Sequence, residues 1–193
     1  MNYFNMNKQQ FPEKGDLLIS EPFLPDPNFE RSVILLCEHN EEGAFGFVLN
    51  KTTTLSLADV IEESDGFDDE TLFVGGPVQQ DTLHFIHRYG EVLDEAVTIG
   101  KGLYWGGDFE QLRMLIATGS VSAQDFRFFL GYSGWSSGQL MDEIEEQSWV
   151  VYKGANADQI FDWDYDSLWR AVLKQMGGQY KMFSNYPTDP RLN

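Results

Sequence analysis

The chain has 193 residues and a formal net charge of -18, because 13 Lys and Arg stand against 31 Asp and Glu. Such an acidic surface repels phosphate backbones and anionic lipids, which argues against nucleic acid or a membrane as a partner. The first ten residues lack the basic start and apolar core of a signal peptide, and the single cysteine, Cys37, allows no internal disulfide, so we expect a cytoplasmic protein.

The composition indicates one folded domain. Aromatic residues make up 15% of the chain, which is more than a disordered acidic sequence carries. No linker rich in Pro, Gly or Ser divides the sequence. We predict a flexible N-terminal segment at residues 1–14 and a single domain at residues 15–193.

Apolar runs in the first half of the chain are typical of β-strands. Strands are predicted at residues 16–20, 32–38, 44–50, 73–78, 82–87 and 96–99, the fourth of them running into a glycine turn. The second and third of these strands are predicted to pair as a hairpin. Residues 22–29 contain prolines that cannot donate to a ladder, so they are predicted to cross the surface as a loop. Ser56 is suited to cap a short helix at residues 57–63.

Helices are predicted mainly in the second half. They are expected at residues 109–118, from residue 139 to about residue 147, and around residues 168–173, with a strand at residues 149–152. Asp108 with Gln111 forms a capping-box pattern for the first helix, and Ser136 with Gln139 repeats that pattern for the second. The third helix ends at Gly177, before a final irregular segment.

The most informative stretch is residues 129–140, where an apolar run meets Gly131, Gly134 and Trp135 before an acidic helix. The stretch predicts a strand, a tight turn and a capped helix. Such a turn brings backbone amides and one large ring to the end of a sheet, where ligands bind in many α/β proteins. No residue in it is an obvious nucleophile, metal ligand or phosphate-binding group.

Four sequence blocks follow one another in a specific order. They are FERSVILLCEHN at residues 29–40, GAFGFVLNK at residues 43–51, GGPV at residues 75–78, and LGYSGW at residues 130–135 with the downstream pairs 139–140 and 143–144. In this order they resemble the signature blocks of the AlgH/YqgE family of uncharacterised bacterial proteins, and the resemblance extends over residues 15–193. One departure is Thr52, where family members often carry Pro.

The resemblance implies a fold and no established reaction. The implied fold is α/β (α+β): a single AlgH-like domain with a bent, barrel-like mixed β-sheet flanked by helices. The label of transcriptional regulator attached to the founding member reflects a pathway connection and not a known binding chemistry. The resemblance therefore leaves open whether the protein is an enzyme.

Two pairs of residues are of the types found in catalytic and metal sites. Cys37 and His39 share a face of the predicted strand and could form a thiolate–imidazole pair, but a Cys at the end of an apolar strand is usually a buried, protonated thiol. His84 and His87 are three apart on a predicted strand and so face opposite sides, which argues against a metal site. We predict no catalytic residue, no metal site and no cofactor.

The candidate ligand-binding residues are Arg31, Asn50, Gly75, Gly76, Trp135, Gln139 and Glu143. We predict that Asn50, the glycine turn at residues 75–77 and the Trp135 turn with Gln139 border one concave region, where the indole stacks on a planar group. The alternative is that each glycine serves a bend in its own strand and Trp135 lies in the core.

Three of these side chains have further interpretations. Arg31 is expected to form an internal salt bridge, with a bound anion as the alternative. Gln139 and Glu143 are four residues apart and share one face of the predicted helix, so they either bond each other or project into a cleft.

Two classes of function fit these patterns. The first is a regulatory or adaptor protein that contacts another macromolecule, for which a basic protein partner matches the acidic surface. The second is a small-molecule binder or enzyme with an anionic or planar ligand near Trp135. A closed, ligand-sized pocket favours the second class, and an exposed aromatic patch favours the first. Direct DNA binding is disfavoured, because the chain has no basic stripe, no helix-turn-helix pattern and no zinc-finger spacing.

Overall fold

The computed structural model describes residues 11–62, 64 and 66–187. The first ten residues of the predicted flexible segment lie outside this described part. Two of the four that follow contact β2: the Phe11 ring stacks on His39 with 5.2 Å between centroids, and His39 Nδ1 donates to the Pro12 carbonyl at 2.8 Å. No described helix is long and apolar enough to cross a bilayer.

The described residues form one mixed α/β domain. Its strands are β1 (Leu17–Ser20), β2 (Val33–Asn40), β3 (Gly43–Val48), β4 (Thr52–Ser56), β5 (Thr71–Val74), β6 (Val78–His87), β7 (Val97–Gly100), β8 (Leu103–Trp105), β9 (Phe126–Ser136) and β10 (Trp149–Tyr152). Its α-helices are α1 (Phe109–Ala117), α2 (Gln139–Glu145), α3 (Ala157–Asp162), α4 (Leu168–Met176) and α5 (Gly178–Phe183), and short 3-10 turns lie at Leu57–Asp59 and Ala123–Asp125.

The strands join into one bent sheet. Its main path runs β10-β1-β2-β3-β9-β6-β8-β7 with antiparallel neighbours, while β5 pairs in parallel with β9 and antiparallel with β4. The described path is open, with β10 and β7 at its ends. It nevertheless curls back on itself, because a Cβ added to Gly15 before β1 would lie 3.2 Å from the Ile99 carbonyl oxygen in β7. The predicted bent, barrel-like mixed sheet with flanking helices is confirmed, and it does not close.

Strand β9 is the centre of the sheet because three strands pair with it. Along one edge it pairs first with β5 at residues 128–130 and then with β3 at residues 133–136, and β6 pairs with its other edge. The partner changes at Gly131, whose φ of 66° bends the chain. The predicted tight turn at residues 131–134 is therefore wrong: their backbone groups belong to the ladder, and the turn before α2 comes at residues 137–138.

Apolar side chains cover both faces of the sheet. Leu17 and Ile19 of β1 belong to the cluster under α3, α4 and α5, whereas Leu18 between them belongs to the cluster under α2. A third cluster joins Phe128 of β9 to Leu112 of α1. Successive strand residues point to opposite faces, so a strand covered on both sides reads as an unbroken apolar run. This is the pattern that predicted β1 and β2 from the sequence.

The structure adds elements that the sequence did not predict. The helix expected at residues 57–63 is a single 3-10 turn, although its cap forms: the Ser56 N–H donates to Asp59 Oδ2 at 2.7 Å. Strands β4 and β8 and helices α3 and α5 were not predicted. The final segment is irregular only in part, since α5 lies within it. The missed helices have six residues each, too few to show a helical period.

Candidate functional site

Trp135, Gln139 and Glu143 form one hydrogen-bonded cluster beneath α2. Trp135 Nε1–H donates to Glu143 Oε2 at 2.8 Å, and Trp149 Nε1–H donates to the same oxygen at 2.7 Å. Gln139 Nε2–H donates to Glu143 Oε1 at 2.9 Å, as the four-residue spacing on a helix allows. The Trp135 side chain is 7% exposed. The carboxylate thus joins the helix to two strands.

Arg31 and Asn50 belong to a second location. Asn50 Oδ1 accepts from the Val33 N–H at 2.9 Å, and its Nδ2–H donates to the Arg31 carbonyl at 2.9 Å. The Arg31 guanidinium donates to the carbonyls of Tyr186 and Pro187. It also lies 4.8 Å from the centroid of the Trp169 ring.

The salt bridge expected for Arg31 is wrong within the described residues. Its guanidinium holds the C-terminal segment through carbonyl oxygens instead of pairing with a carboxylate. Burial and the neighbouring Arg170 lower the pKa of Arg31. The polar groups of Asn50 are likewise used within the fold, in tying β2 to the segment that follows β3.

Gly75 and Gly76 pack into the sheet. The Gly75 carbonyl accepts from the Val48 N–H at 2.9 Å and from Ser133 Oγ at 3.0 Å, and its own N–H donates to Leu130. An added Cβ on Gly75 would lie 2.2 Å from the Gly131 carbonyl oxygen, and one on Gly76 would lie 2.3 Å from Tyr132. These glycines are needed for a close backbone approach, and Gly75 uses both of its backbone groups inside the fold.

The predicted single concave region is not formed. Trp135 pairs with Ala44 near the start of β3, whereas Asn50 follows the end of that strand. Six residues of extended chain separate Ala44 from Asn50, which corresponds to about 20 Å. Asn50 and Arg31 therefore lie at one end of β3, and Trp135 with Gln139 and Glu143 lies at the other.

A groove does border Trp135, with other neighbours than those predicted. We name it the acidic–aromatic groove; its volume is about 520 Å³, and it is lined by Glu38, Asn40, Glu42, Gly43, Ala44, Phe45, Val78, Trp105, Tyr132, Gly134 and Trp135. Phe45 meets Trp105 at 4.9 Å and Tyr132 at 6.1 Å, both edge to face. The groove is open to solvent.

Acidic and polar side chains form the rim of the groove. Glu38, Asn40 and Glu42 are exposed at the β2–β3 turn, and none of the lining residues is Lys or Arg. Asn40 Nδ2–H donates to Glu38 Oε1. One signal for this site is visible in the sequence, the acidic turn between two strands. The aromatic side comes from β3, β8 and β9 and depends on the tertiary fold.

The two pairs weighed as reactive sites do not form such sites. Cys37 is buried, and burial raises the pKa of its thiol well above the ordinary value. β2 carries a bulge between Leu36 and Glu38, and His39 Nδ1 bonds the Pro12 carbonyl instead of the thiol. His84 and His87 lie on β6 as predicted, where burial lowers the pKa of each.

No group of three or more His, Cys, Asp or Glu side chains in the described part of the chain is arranged to hold a metal ion. The two imidazoles of β6 have separate partners: His84 Nε2 contacts Thr82 Oγ1 at 2.9 Å, and His87 Nε2–H donates to the Gly106 carbonyl at 2.7 Å.

The sequence and the fold are both similar to those of known proteins. The family model described as AlgH-like matches residues 17–181. The chain belongs to the AlgH-like family. A UPF0301 protein of Cytophaga hutchinsonii is 53% identical over 93% of this chain and 98% of its own length, and a UPF0301 protein of Chlorobaculum tepidum is 47% identical over 97% and 99%.

Two solved structures show the same AlgH-like architecture. The solution structure of the AlgH protein of Pseudomonas aeruginosa has a TM-score of 0.72 and 30% identity, over 93% of this chain and 98% of that one. A crystal structure of a Corynebacterium diphtheriae protein has a TM-score of 0.77 and 23% identity, over 93% and 95%. AlgH-like proteins of the UPF0301 group are of uncharacterised function, so the activity must be inferred from the site itself.

Proposed function

We propose that the protein is a cytoplasmic regulatory module that binds a basic segment of a partner protein in the acidic–aromatic groove and does not bind DNA itself. The observation that carries the proposal is the composition of that groove. Phe45, Trp105 and Tyr132 supply ring surfaces, while Glu38 and Glu42 supply negative charge at the rim. No lining residue is basic, so a cation from outside meets no competitor within the groove.

Arg and Lys side chains match this chemistry on two counts. A guanidinium or ammonium group is attracted to the face of an aromatic ring within about 6 Å of its centroid. The same group forms charge-assisted hydrogen bonds with carboxylates. A groove open to solvent admits side chains that project from a protein segment, whereas small-molecule sites usually enclose most of their ligand. The net charge of -18 further attracts a basic partner.

The same charge opposes direct DNA binding. Affinity for duplex DNA depends on Lys and Arg that displace counterions from phosphates, and this chain has 13 such residues against 31 acidic ones. A regulatory role is therefore expected to act through protein contact. The second candidate function is binding of a small planar cation in the groove, because its aromatic and acidic lining attracts such a cation without a protein segment attached.

Calorimetric titration of the full chain tests the proposal. An arginine-rich peptide is expected to bind, with affinity falling as salt is raised, and an acidic peptide of equal length is not. The double variant Glu38→Gln with Glu42→Gln is expected to weaken binding about tenfold or more. The matched control is Glu62→Gln with Glu91→Gln, which removes equal charge from exposed residues outside the groove.

The outcomes separate the alternatives. Equal weakening in both double variants means that net charge alone attracts the peptide and contradicts a groove site. Binding of a small planar cation such as arginine amide, without tighter binding of the peptide, supports the second candidate function. A mobility shift at nanomolar protein that depends on DNA sequence overturns the exclusion of direct DNA binding.

A further inference from the structure

Arg127 is a buried cation that forms no ion pair with any carboxylate in the described part of the chain. It lies on β9 opposite Ile86 and is 8% exposed. Its Nη1 is buried and has no hydrogen-bond partner within the described chain, and no ion pair joins the guanidinium to a described carboxylate. Its contact is with the Phe73 ring, whose centroid lies 5.1 Å away. Buried charges are normally paired, so this guanidinium is available to a ligand.

The guanidinium borders a cavity that is separate from the acidic–aromatic groove. We name it the Arg127 cavity; its volume is about 460 Å³, and it lies between the start of β5, the start of β9 and the segment after α3. Aromatic side chains form much of its wall: Phe73, Phe161, Trp163 and Tyr165. Tyr165 meets Phe73 edge-on at 5.3 Å. The cavity thus joins one fixed positive charge to an apolar wall.

The opposite part of the lining is acidic. Asp69, Glu70, Asp162 and Asp164 all border the cavity, yet none forms an ion pair with Arg127. Asp164 is used locally, because Oδ1 accepts from the Asp166 N–H and Oδ2 from Ser167 Oγ. Asp69 and Asp162 are exposed. The Arg127 guanidinium and these carboxylates therefore line the same cavity without forming ion pairs with each other.

Burial shifts the pKa values of Arg127 and Glu70 in the cavity. Burial lowers the pKa of Arg127 to about 10, which keeps the guanidinium charged at neutral pH. Burial, followed by the charge of Asp69, raises the pKa of Glu70. Because Arg127 is buried whereas Asp69, Asp162 and Asp164 are exposed, the cation lies at the inner end of the cavity and these carboxylates lie toward its rim.

We propose that the Arg127 cavity binds a zwitterion of the α-amino acid class with an aromatic or other apolar side chain. The ligand carboxylate pairs with the Arg127 guanidinium, whose fork of N–H donors matches two carboxylate oxygens. The ligand ammonium faces Asp162 and its acidic neighbours. The side chain packs on the ring wall.

Other ligand classes fit this charge pattern less well. Phosphate and other multiply charged anions gain one cation but meet four carboxylates, and like charges at short range oppose binding. An amine without a carboxylate leaves the guanidinium buried and unpaired. A monocarboxylate with an apolar body satisfies Arg127 and the rings but leaves the acidic rim without a counter-charge. A zwitterion alone among these satisfies all three parts of the lining.

The test uses the full chain and a panel of matched probes in calorimetry and thermal-shift assays. L-phenylalanine is the principal probe, 3-phenylpropanoate lacks its ammonium group, phenethylamine lacks its carboxylate, and inorganic phosphate lacks both ring and ammonium. L-phenylalanine is expected to bind at least about tenfold more tightly than any of the other three. A dipeptide such as Gly-Phe tests whether the site takes peptide C-termini instead.

Two variants assign the contacts. Arg127→Met is expected to abolish binding of L-phenylalanine, whereas Arg113→Met, at an Arg on α1, leaves it unchanged. Asp162→Asn changes an exposed residue and is expected to retain the fold. This variant should weaken the binding of L-phenylalanine but not that of 3-phenylpropanoate, so it tests the proposal even if Arg127→Met does not fold.

Several results would overturn the inference. One is that no probe binds at millimolar concentration. Others are that L-phenylalanine and 3-phenylpropanoate bind with equal affinity, or that phosphate or the dipeptide binds more tightly than L-phenylalanine. The last is that Asp162→Asn loses binding of 3-phenylpropanoate together with binding of L-phenylalanine. None of these results bears on the peptide site in the acidic–aromatic groove, so the two proposals fail independently.

Discussion

The indole Nε1–H of Trp135 donates a hydrogen bond to Oε2 of Glu143 at 2.8 Å, and this single carboxylate also accepts the indole of Trp149. The two rings meet edge to face with 6.0 Å between centroids. Because Trp135 lines the acidic–aromatic groove, Glu143 fixes part of that groove from below although it does not line it.

Glu143→Gln is expected to destabilise the protein by about 1–3 kcal/mol, because an amide cannot accept both indole protons with the same strength as a carboxylate. Unfolding in urea, followed by tryptophan fluorescence, measures the change. The control is Glu146→Gln at the exposed end of the same helix, for which we expect a change within about 0.5 kcal/mol. Equal losses in the two variants would contradict the proposed role of the carboxylate.

Gly75→Ala is expected to prevent folding or to cost several kcal/mol. An added Cβ would meet the Gly131 carbonyl oxygen at 2.2 Å, and backbone on both sides is held in the ladder. Gly100→Ala is the matched control, since its Cβ would meet nothing within 4 Å. Circular dichroism and thermal unfolding of the two variants test this difference. A Gly75→Ala protein as stable as the control would show that β5 and β9 can move apart.

Cys37 is expected to react slowly with thiol reagents in the native protein and rapidly in denaturant. Its side chain is 2% exposed, and burial raises the pKa of the thiol well above its ordinary value, so little thiolate is available. Cys37→Ser should cost about 1–3 kcal/mol, because it places a hydroxyl in an apolar cluster. Fast modification at neutral pH would revive a reactive role for the Cys37–His39 pair.

Stability is expected to fall as the pH drops below about 6.5, the ordinary pKa of histidine. Burial lowers the pKa of His87 in the folded state, where Nδ1 accepts from the Tyr89 N–H and Nε2–H donates to Gly106. Between the folded and unfolded pKa values the unfolded chain binds more protons, so the contribution is complete above 6.5 and is lost at lower pH.

Unfolding free energies on both sides of pH 6.5 test this dependence. His87→Gln is expected to be less stable at neutral pH but to show a smaller fall on acidification, since it has no imidazole to protonate. His84→Gln should also reduce the fall, because burial lowers the pKa of His84 as well. A variant without either imidazole that kept the full pH dependence would assign it to other groups.

The parts of the fold that local pattern determines were predictable. Strands β1 and β2 read as unbroken apolar runs, and α1 carries its Asp108 cap, which accepts from the Gln111 N–H. The error at residues 131–134 has a physical cause. Gly131 lies close to β6, where an added Cβ would be 2.6 Å from the Val78 carbonyl oxygen, and the sequence does not distinguish such a glycine from one in a turn.

The candidate site was predictable to a smaller extent. The four-residue spacing of Gln139 and Glu143 left open whether they bond each other or project into a cleft, and the structure shows that they bond each other. Trp105 and Arg127 gave no signal, because the groove and cavity that they line are made by strands distant in sequence. Which face of a long strand a side chain occupies depends on register, and one residue of slip exchanges the two faces.

The position of β9 along the chain affects synthesis. β3, β5 and β6 all pair with it, yet all three precede it in sequence, and β10 must still reach back to β1. A nascent chain leaving the ribosome therefore carries several strands with unpaired edges until residue 136 has emerged. Exposed edges of this kind are prone to aggregate, so we expect the growing chain to be most prone to aggregation before β9 has been synthesised.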